Sequence, residues 1–347
     1  MATQTGIIIE AANQPHKVVD NIPRPSPEGR QVLVRCLAVG LNPMYDHHTG
    51  MMVNEWPAIL GSDGAGVVVE LGPDVNRLKL GDYVYSCAPV GQNKFTPFQD
   101  AYLAQEDLLF KRGNNISLED SCTIGACLLT SSICLLTGAG LELPEDGNRA
   151  QEKDEWIVVL GGTGNVGQFA IQLGKACGYK VLASCSPSKE SIAVRNGASA
   201  TFDSRETIDA QVAEIKKITD GNFGKMMDAS TYGYKVMVKA LETASNAKEK
   251  YLTSVDSWSP FSTPSSINEH RADLGHLCRP DERDGAQVTS NIGTWIPLLE
   301  KHIAAGNLKP LEYHVVDGVG WEQVIQGIRD MEGGKVGKKI VVRTQEE

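Results

Sequence analysis

Trp156-Ile157-Val158-Val159-Leu160-Gly161-Gly162-Thr163-Gly164-Asn165-Val166-Gly167 is the stretch that decides how this chain folds. A short apolar run rich in β-branched residues predicts a buried strand. The glycines after it follow the spacing Gly162-x-Gly164-x-x-Gly167 and open a stretch, 166–177, that predicts a helix. A second strand is expected at Lys180–Cys185. Glycine permits the tight turn and lets the backbone approach a pyrophosphate, while the helix N-terminus offers free N–H groups and the positive end of its dipole. A glycine triplet alone is a weak signal and can be a turn in an empty α/β domain. Between a strand and a helix, with a second strand following, it reads as a dinucleotide site in which Gly162, Thr163, Gly164, Asn165, Val166 and Gly167 cradle the phosphates.

The alternation continues outward. Helices are expected at 188–196, 207–219 and 234–244, and strands at 200–203, 226–229 and 251–255. Strands alternating with helices give a doubly wound parallel sheet of Rossmann type. Upstream, short strands at 6–10, 31–39, 64–71 and 82–87 are separated by turn sequences such as Gly72-Pro73-Asp74, which predicts a smaller β-rich domain. The run 117–140 is apolar and suits a buried helix, 143–155 a surface loop, and 261–286 a polar irregular loop. Helices at 292–305 and 321–331 and a strand at 339–342 complete the chain.

The end of the second strand bears on the cofactor. An NAD site places an acid about 20 residues after the glycines to hold the ribose 2′-hydroxyl. Here the chain reads Ala183-Ser184-Cys185-Ser186-Pro187-Ser188-Lys189, with no carboxylate before Glu190. Ser184, Ser186, Ser188 and Lys189 suit a 2′-phosphate, and Arg205 beyond the third strand is a further cation. The alternative is that Lys189 and Arg205 are solvated surface charges. The pattern favours NADPH over NADH.

The bulk properties agree with this class. A chain of 347 residues, 41% apolar, has enough length for two domains without disulfide or metal staples. A net charge of −10 argues against a nucleic-acid partner. The eight cysteines are scattered without a CxxC pair and read as reduced core residues of a cytoplasmic protein. No signal peptide is expected, since only Ile7–Ile9 is apolar near the start, and no apolar stretch is expected to span a membrane.

Longer motifs carry a resemblance. The run from Pro57 to Gly72, with Gly61-Ser62-Asp63-Gly64-Ala65-Gly66, the run from Leu78 to Val84, and Gly333-Gly334-Lys335-Val336-Gly337 with the strand after it resemble the medium-chain dehydrogenase/reductase superfamily. The resemblance spans almost the whole chain. It implies an α/β protein with a GroES-like catalytic domain at 1–125, completed by 290–347, and a Rossmann NADPH-binding domain at 126–289. In the zinc alcohol dehydrogenases a Cys stands where this chain has Val39-Gly40-Leu41-Asn42, and Gly-His-Glu where it has Gly61-Ser62-Asp63. Of the structural-zinc lobe expected after residue 85, Cys87 alone is present. Zinc needs three or four convergent ligands, so no metal is expected.

Leu41-Asn42-Pro43-Met44-Tyr45 is similar to the Asn-Pro motif of the zinc-free quinone oxidoreductases and enoyl reductases. The segment from Ile124 to Pro144, the run Ser184-Cys185-Ser186-Pro187 and Asn196-Gly197-Ala198 resemble the fungal trans-acting enoyl reductases. That group reduces enoyl thioesters on polyketide synthases that lack a working reductase domain. The resemblance therefore implies a small-molecule or carrier-bound enoyl substrate, a polyketide synthase as partner, and a monomer or dimer. No membrane partner is implied. In that group the motif often reads Asn-Pro-x-Asp-x-Lys, whereas here Tyr45 replaces the acid and His47 the lysine.

Tyr45, His47, His48 and Thr130 are the candidates for holding a carbonyl oxygen or supplying a proton. One histidine exposed and the other bonded to a backbone carbonyl is the plainer alternative. Thr130 is equally suited to a back-bond within its own helix. Asn42 is a candidate for fixing the cofactor amide or the loop backbone. The lysine-to-histidine change leaves open a redox-neutral double-bond isomerase that moves a proton through His47 or His48. A quinone or small enone reductase is a further alternative.

Overall fold

The computed structural model describes residues 2–43 and 50–346. The chain forms two units: Met1–Ala126 with Gly275–Glu300 and Pro310–Glu347, and Cys127–Leu274 with Lys301–Lys309. The divisions expected from the resemblance fall at 125/126 and 289/290; in the structure Gly275–Glu300 belongs to the first unit and Lys301–Lys309 to the second.

In the first unit β1 (Thr3–Ile8) pairs antiparallel with β2 (Lys17–Pro23). A separate sheet is organised by β3 (Gln31–Leu41), whose residues are almost all buried. One edge of β3 pairs with β4 (Asp63–Leu71), which pairs in turn with β5 (Tyr83–Cys87). The other edge of β3 is divided: its first half pairs with β6 (Ala101–Gln105), and β7 (Phe110–Lys111) closes beside β5. Its second half pairs with a strand from the far end of the chain, described below.

The second unit is a six-stranded sheet in which every pairing is parallel. Its strands are β8 (Trp156–Leu160), β9 (Lys180–Cys185), β10 (Ala200–Asp203), β11 (Phe223–Asp228), β12 (Tyr251–Ser254) and β13 (Asn268–Arg271). The order β10-β9-β8-β11-β12-β13 reverses direction beside β8, and in doubly wound sheets ligands bind at that reversal, outside the carboxyl ends of the strands. Helices Asn165–Ala176, Glu190–Arg195, Ile208–Thr219 and Tyr234–Thr243 connect the strands. Val158, Leu182, Phe202, Met226, Met237 and Leu252 meet in the core of this unit.

β13 corrects the sequence reading, which left 261–286 without regular structure. Its residues Asn268-Glu269-His270-Arg271 show no apolar alternation; pairing with β12 makes them a strand.

Back in the first unit, β14 (Tyr313–Val319) lies parallel to β15 (Lys339–Arg343), and β15 pairs antiparallel with residues 38–41 of β3. Helix Trp321–Glu332 buries Trp321, Val324, Ile325 and Ile328 in the core of this unit.

The helix expected over 117–140 is segmented. Leu118–Ser121 is a short helix opened by a Ser117–Asp120 capping box, Gly125–Ser132 follows, and Ile133–Gly138 winds into a π-helix. The 21-residue run Leu118–Gly138 is, by length and composition alone, long and apolar enough to cross a membrane, contrary to the sequence expectation. Most of it is buried inside the protein, as in a core helix.

Candidate functional site

In the second unit, β8 ends at Leu160 and the chain turns at Gly161, whose φ of 71° is left-handed. Ser184, 2% exposed at the end of β9, secures this turn. Its hydroxyl accepts the Gly161 N–H at 2.9 Å and its carbonyl accepts the Gly162 N–H at 2.9 Å. Gly164 precedes the helix Asn165–Ala176 without a side-chain cap, so the amides of the first turn are open to an anion. Glycine is required at two of these positions by contact. A Cβ on Gly167 would lie 2.2 Å from the Gly161 carbonyl oxygen, and one on Gly162 would lie 2.8 Å from the Ala183 Cβ.

Beyond Ser184 the chain leaves the sheet through Ser186, Pro187, Ser188 and Lys189. The Ser186 and Ser188 hydroxyls are 3.4 Å apart, and Lys189 is exposed. β10 ends alongside, with Asp203 in register with Cys185. The Arg205 guanidinium folds back on Asp203 at 2.7 Å, and this hydrogen bond holds the Asp203 carboxyl below the usual carboxylate range. The structure thus brings Gly162–Gly167, Ser184, Ser186, Ser188, Lys189 and Arg205 to the carboxyl ends of three adjacent strands. Among them Ser184 is already engaged with the glycine turn, and Arg205 already carries a carboxylate partner.

Two features of this unit escaped sequence reasoning. Asp228, fully buried at the end of β11, accepts the Ser230 N–H at 2.8 Å, the Ser230 hydroxyl at 2.6 Å and the Gly233 N–H at 2.8 Å, fixing the turn into the next helix. The Ser131 hydroxyl donates to the Val166 carbonyl at 2.8 Å, tying its helix to the glycine turn. Thr130, one residue earlier, is half-buried. The back-bonding to i−4 considered for Thr130 is made by Ser131 and Ser132, to the carbonyls of Cys127 and Leu128.

In the first unit Asn42 belongs to a buried polar cluster. Its amide donates to Ser62 Oγ and to Asp63 Oδ2, each at 2.8 Å, and its carbonyl accepts from Lys339 Nζ at 2.6 Å. Asp63 Oδ2 lies 2.7 Å from Lys339 Nζ, and Asp63 Oδ1 accepts the Ala126 N–H at 2.6 Å. Asp63 is thus a buried, N–H-bound and ion-paired carboxylate. Lys339 is not singled out in the sequence, where it opens the expected closing strand 339–342. Its signal is a charge at the start of the apolar run Ile340-Val341-Val342. Trp56 is 40% exposed. Tyr45, His47 and His48 lie outside the described residues. Among the described residues no three His, Cys, Asp or Glu side chains gather as metal ligands.

Residues 28–105 match the alcohol dehydrogenase GroES-like domain. A solved alcohol dehydrogenase superfamily protein from Novosphingobium aromaticivorans has the same fold, with a TM-score of 0.80 over 99% of this chain and 100% of that one at 19% identity. Fold and domain match define a protein of the medium-chain dehydrogenase/reductase class. A trans-enoyl reductase of Fusarium sp. (strain FN080326) is 30% identical over 335 residues, covering 91% of this chain and 92% of its own. A trans-enoyl reductase of Pyricularia oryzae is 28% identical over 346 residues, covering 94% of each. The chain belongs to the fungal trans-enoyl reductase family of that superfamily.

Proposed function

We propose that this chain is an NADPH-dependent, zinc-independent enoyl reductase that acts in trans on a chain carried by a polyketide synthase. The observation that carries the cofactor assignment is the end of β9. The glycine turn beside it is held by Ser184, and the next residues offer Ser186, Ser188 and Lys189 where an NAD site would place a carboxylate. The residues fit the group. The uncapped first turn of the helix Asn165–Ala176 takes the pyrophosphate, and the two hydroxyls with the Lys189 ammonium take the 2′-phosphate. The enoyl substrate and the synthase partner are supported by the relatives' names.

Bound nicotinamide supplies the hydride for the β-carbon of the enoyl group. The chain's own residues do the remainder. Tyr45, His47 or His48 holds the thioester oxygen and gives a proton to the α-carbon, and Thr130 is the further candidate for orienting the reactants. The first unit serves as the catalytic domain and the second as the NADPH-binding domain, and the protein works in the cytoplasm.

The test is to supply NADPH or NADH with enoyl thioesters, small enones and quinones, following nicotinamide absorbance and product mass. NADPH loss matched by a two-hydrogen mass gain in the thioester supports the proposal. Turnover of quinones alone, or a shifted double bond at constant mass, would replace it with the corresponding alternative.

A further inference from the structure

The buried ion pair in the first unit calls for a physical explanation. Asp63 and Lys339 are each 1% exposed. Taking a carboxylate and an ammonium out of water is costly, and a well-packed apolar pair in the same volume is often as stable or more so. The strands do not need the pair for alignment. Gly40 already pairs with Asp63 across β3 and β4, and Leu41 with Ile340 across β3 and β15. What an apolar pair could not do is orient an amide. The Asn42 carbonyl meets Lys339, while its amino group is shared by Ser62 and Asp63, so the charges on either side fix which way the amide faces. The other Asp63 oxygen holds the Ala126 N–H in the first turn of the helix Gly125–Ser132.

Glycines clear the space. A Cβ on Gly125 would lie 2.5 Å from Asp63 Oδ1, and one on Gly40 would lie 2.0 Å from the Cys122 carbonyl oxygen and 3.0 Å from Lys339 Cε. The cluster is therefore accommodated at several separate points of the sequence.

We infer that Asp63 and Lys339 are positioning residues for the reaction: their ion pair sets the direction of the Asn42 amide where β3 ends, and the place of the Ala126 N–H beside it. The consequence for turnover rests on the reductase proposal; the effect on Asn42 and Ala126 does not.

The experiment compares the wild-type chain with Asp63→Leu/Lys339→Met, which removes both charges together, and with Lys339→Arg. Three readouts are taken: NADPH affinity by fluorescence, kcat and KM with an enoyl thioester, and hydrogen exchange at the Ala126 amide. The double variant is expected to fold and to bind NADPH as the wild type does. Its kcat is expected to fall about tenfold or more, because small displacements of reacting groups are costly. Exchange at Ala126 is expected to quicken, and Lys339→Arg to recover much of the lost kcat. A folded double variant with wild-type kcat and wild-type exchange overturns the inference. So does one whose NADPH affinity and kcat fall together, since that marks a merely structural role. Should the double variant not fold, Asn42→Ala decides, because it keeps the ion pair and removes the amide: wild-type kcat overturns the inference and a tenfold loss of kcat supports it. If the wild-type chain reduces no thioester, the reductase proposal fails by itself, and exchange at Ala126 still decides the positioning.

Discussion

The Ser184 hydroxyl accepts a hydrogen bond from the Gly161 N–H at 2.9 Å, so the end of β9 holds the turn that follows β8. A side chain committed to the backbone in this way shapes a phosphate site without having to touch the phosphate. Ser184→Ala should cost about 1 kcal/mol of stability, the usual net worth of one such bond. It should weaken NADPH and NADH alike. Denaturant melts and fluorescence titrations with both cofactors check this. A loss confined to NADPH would show instead that Ser184 contacts the 2′-phosphate.

Lys189 and Arg205 should differ. Lys189→Ala is expected to weaken NADPH about tenfold and leave NADH unchanged, since one charge-assisted bond to a phosphate is lost. Arg205 is engaged with Asp203 at 2.7 Å, so Arg205→Ala should matter less. Asp203→Asn removes an anion beside the site and releases the guanidinium, and should tighten NADPH a few-fold. Dissociation constants at low and high salt separate these outcomes.

Gly167→Ala places a methyl group 2.2 Å from the Gly161 carbonyl oxygen. The clash is with backbone and no rotamer relieves it. NADPH binding should fall below detection, whereas Gly334→Ala, at a surface turn whose Cβ would meet nothing within 4 Å, should leave it intact. Calorimetric titration of both variants is the measurement.

Glu106 should set part of the acid limit of the fold. Burial pushes its carboxyl up, but hydrogen bonds from the Arg77 N–H, the Arg30 side chain and the Asn76 N–H outweigh this and hold it below the model-compound value of 4.5. A depressed carboxyl contributes stability that is fully present above the unfolded value and is lost as pH falls through the folded one. Melting temperature should therefore drop as pH falls below about 4.5, and Glu106→Gln should lower it at pH 7 while flattening the acid limb. An unchanged acid limb in Glu106→Gln would assign that limit to other carboxylates.

The cysteines should be nearly silent toward thiol reagents at neutral pH. Of the eight, Cys278 alone is more than slightly exposed. Burial pushes its thiol up, partly offset by Arg279, to about 11. Its labelling rate should rise about tenfold per pH unit from 7 to 10, because the thiolate is the reactive form. A plateau near pH 8 would contradict the burial seen here.

The parallel sheet was the most legible part of the fold. Trp156–Leu160, Lys180–Cys185 and Ala200–Asp203 are strands with the bounds expected from the sequence. Strands covered on both faces read as short apolar runs. Edge elements were harder. Asn268–Arg271 carries no apolar residue and is held by its neighbour's backbone groups, and in Lys17–Pro23 the apolar Val18, Val19 and Ile22 are interrupted by Asp20 and Asn21, which breaks the alternation. The segmented helix from Leu118 was read as continuous because apolar composition does not report the pitch of the backbone.

The same contrast holds for the candidate site. The glycine turn is local, and its residues lie consecutively in the chain. The Asp63–Lys339 pair joins positions 276 apart, and a lone lysine in a terminal strand gives no indication of the carboxylate it will meet.

That separation has a consequence for biosynthesis. On the ribosome, β8 to β13 have all been made by residue 271, and the parallel sheet has its strands in hand. The sheet of the first unit must wait for residues 339–343, even though most of it is among the first segments translated. Until then the inner edge of β3 lacks a neighbour at residues 38–41, and Asp63 lacks its counter-charge. The unit made first is thus completed last, and a nascent chain stalled in its final tenth would expose an unfinished sheet edge to chaperones and proteases.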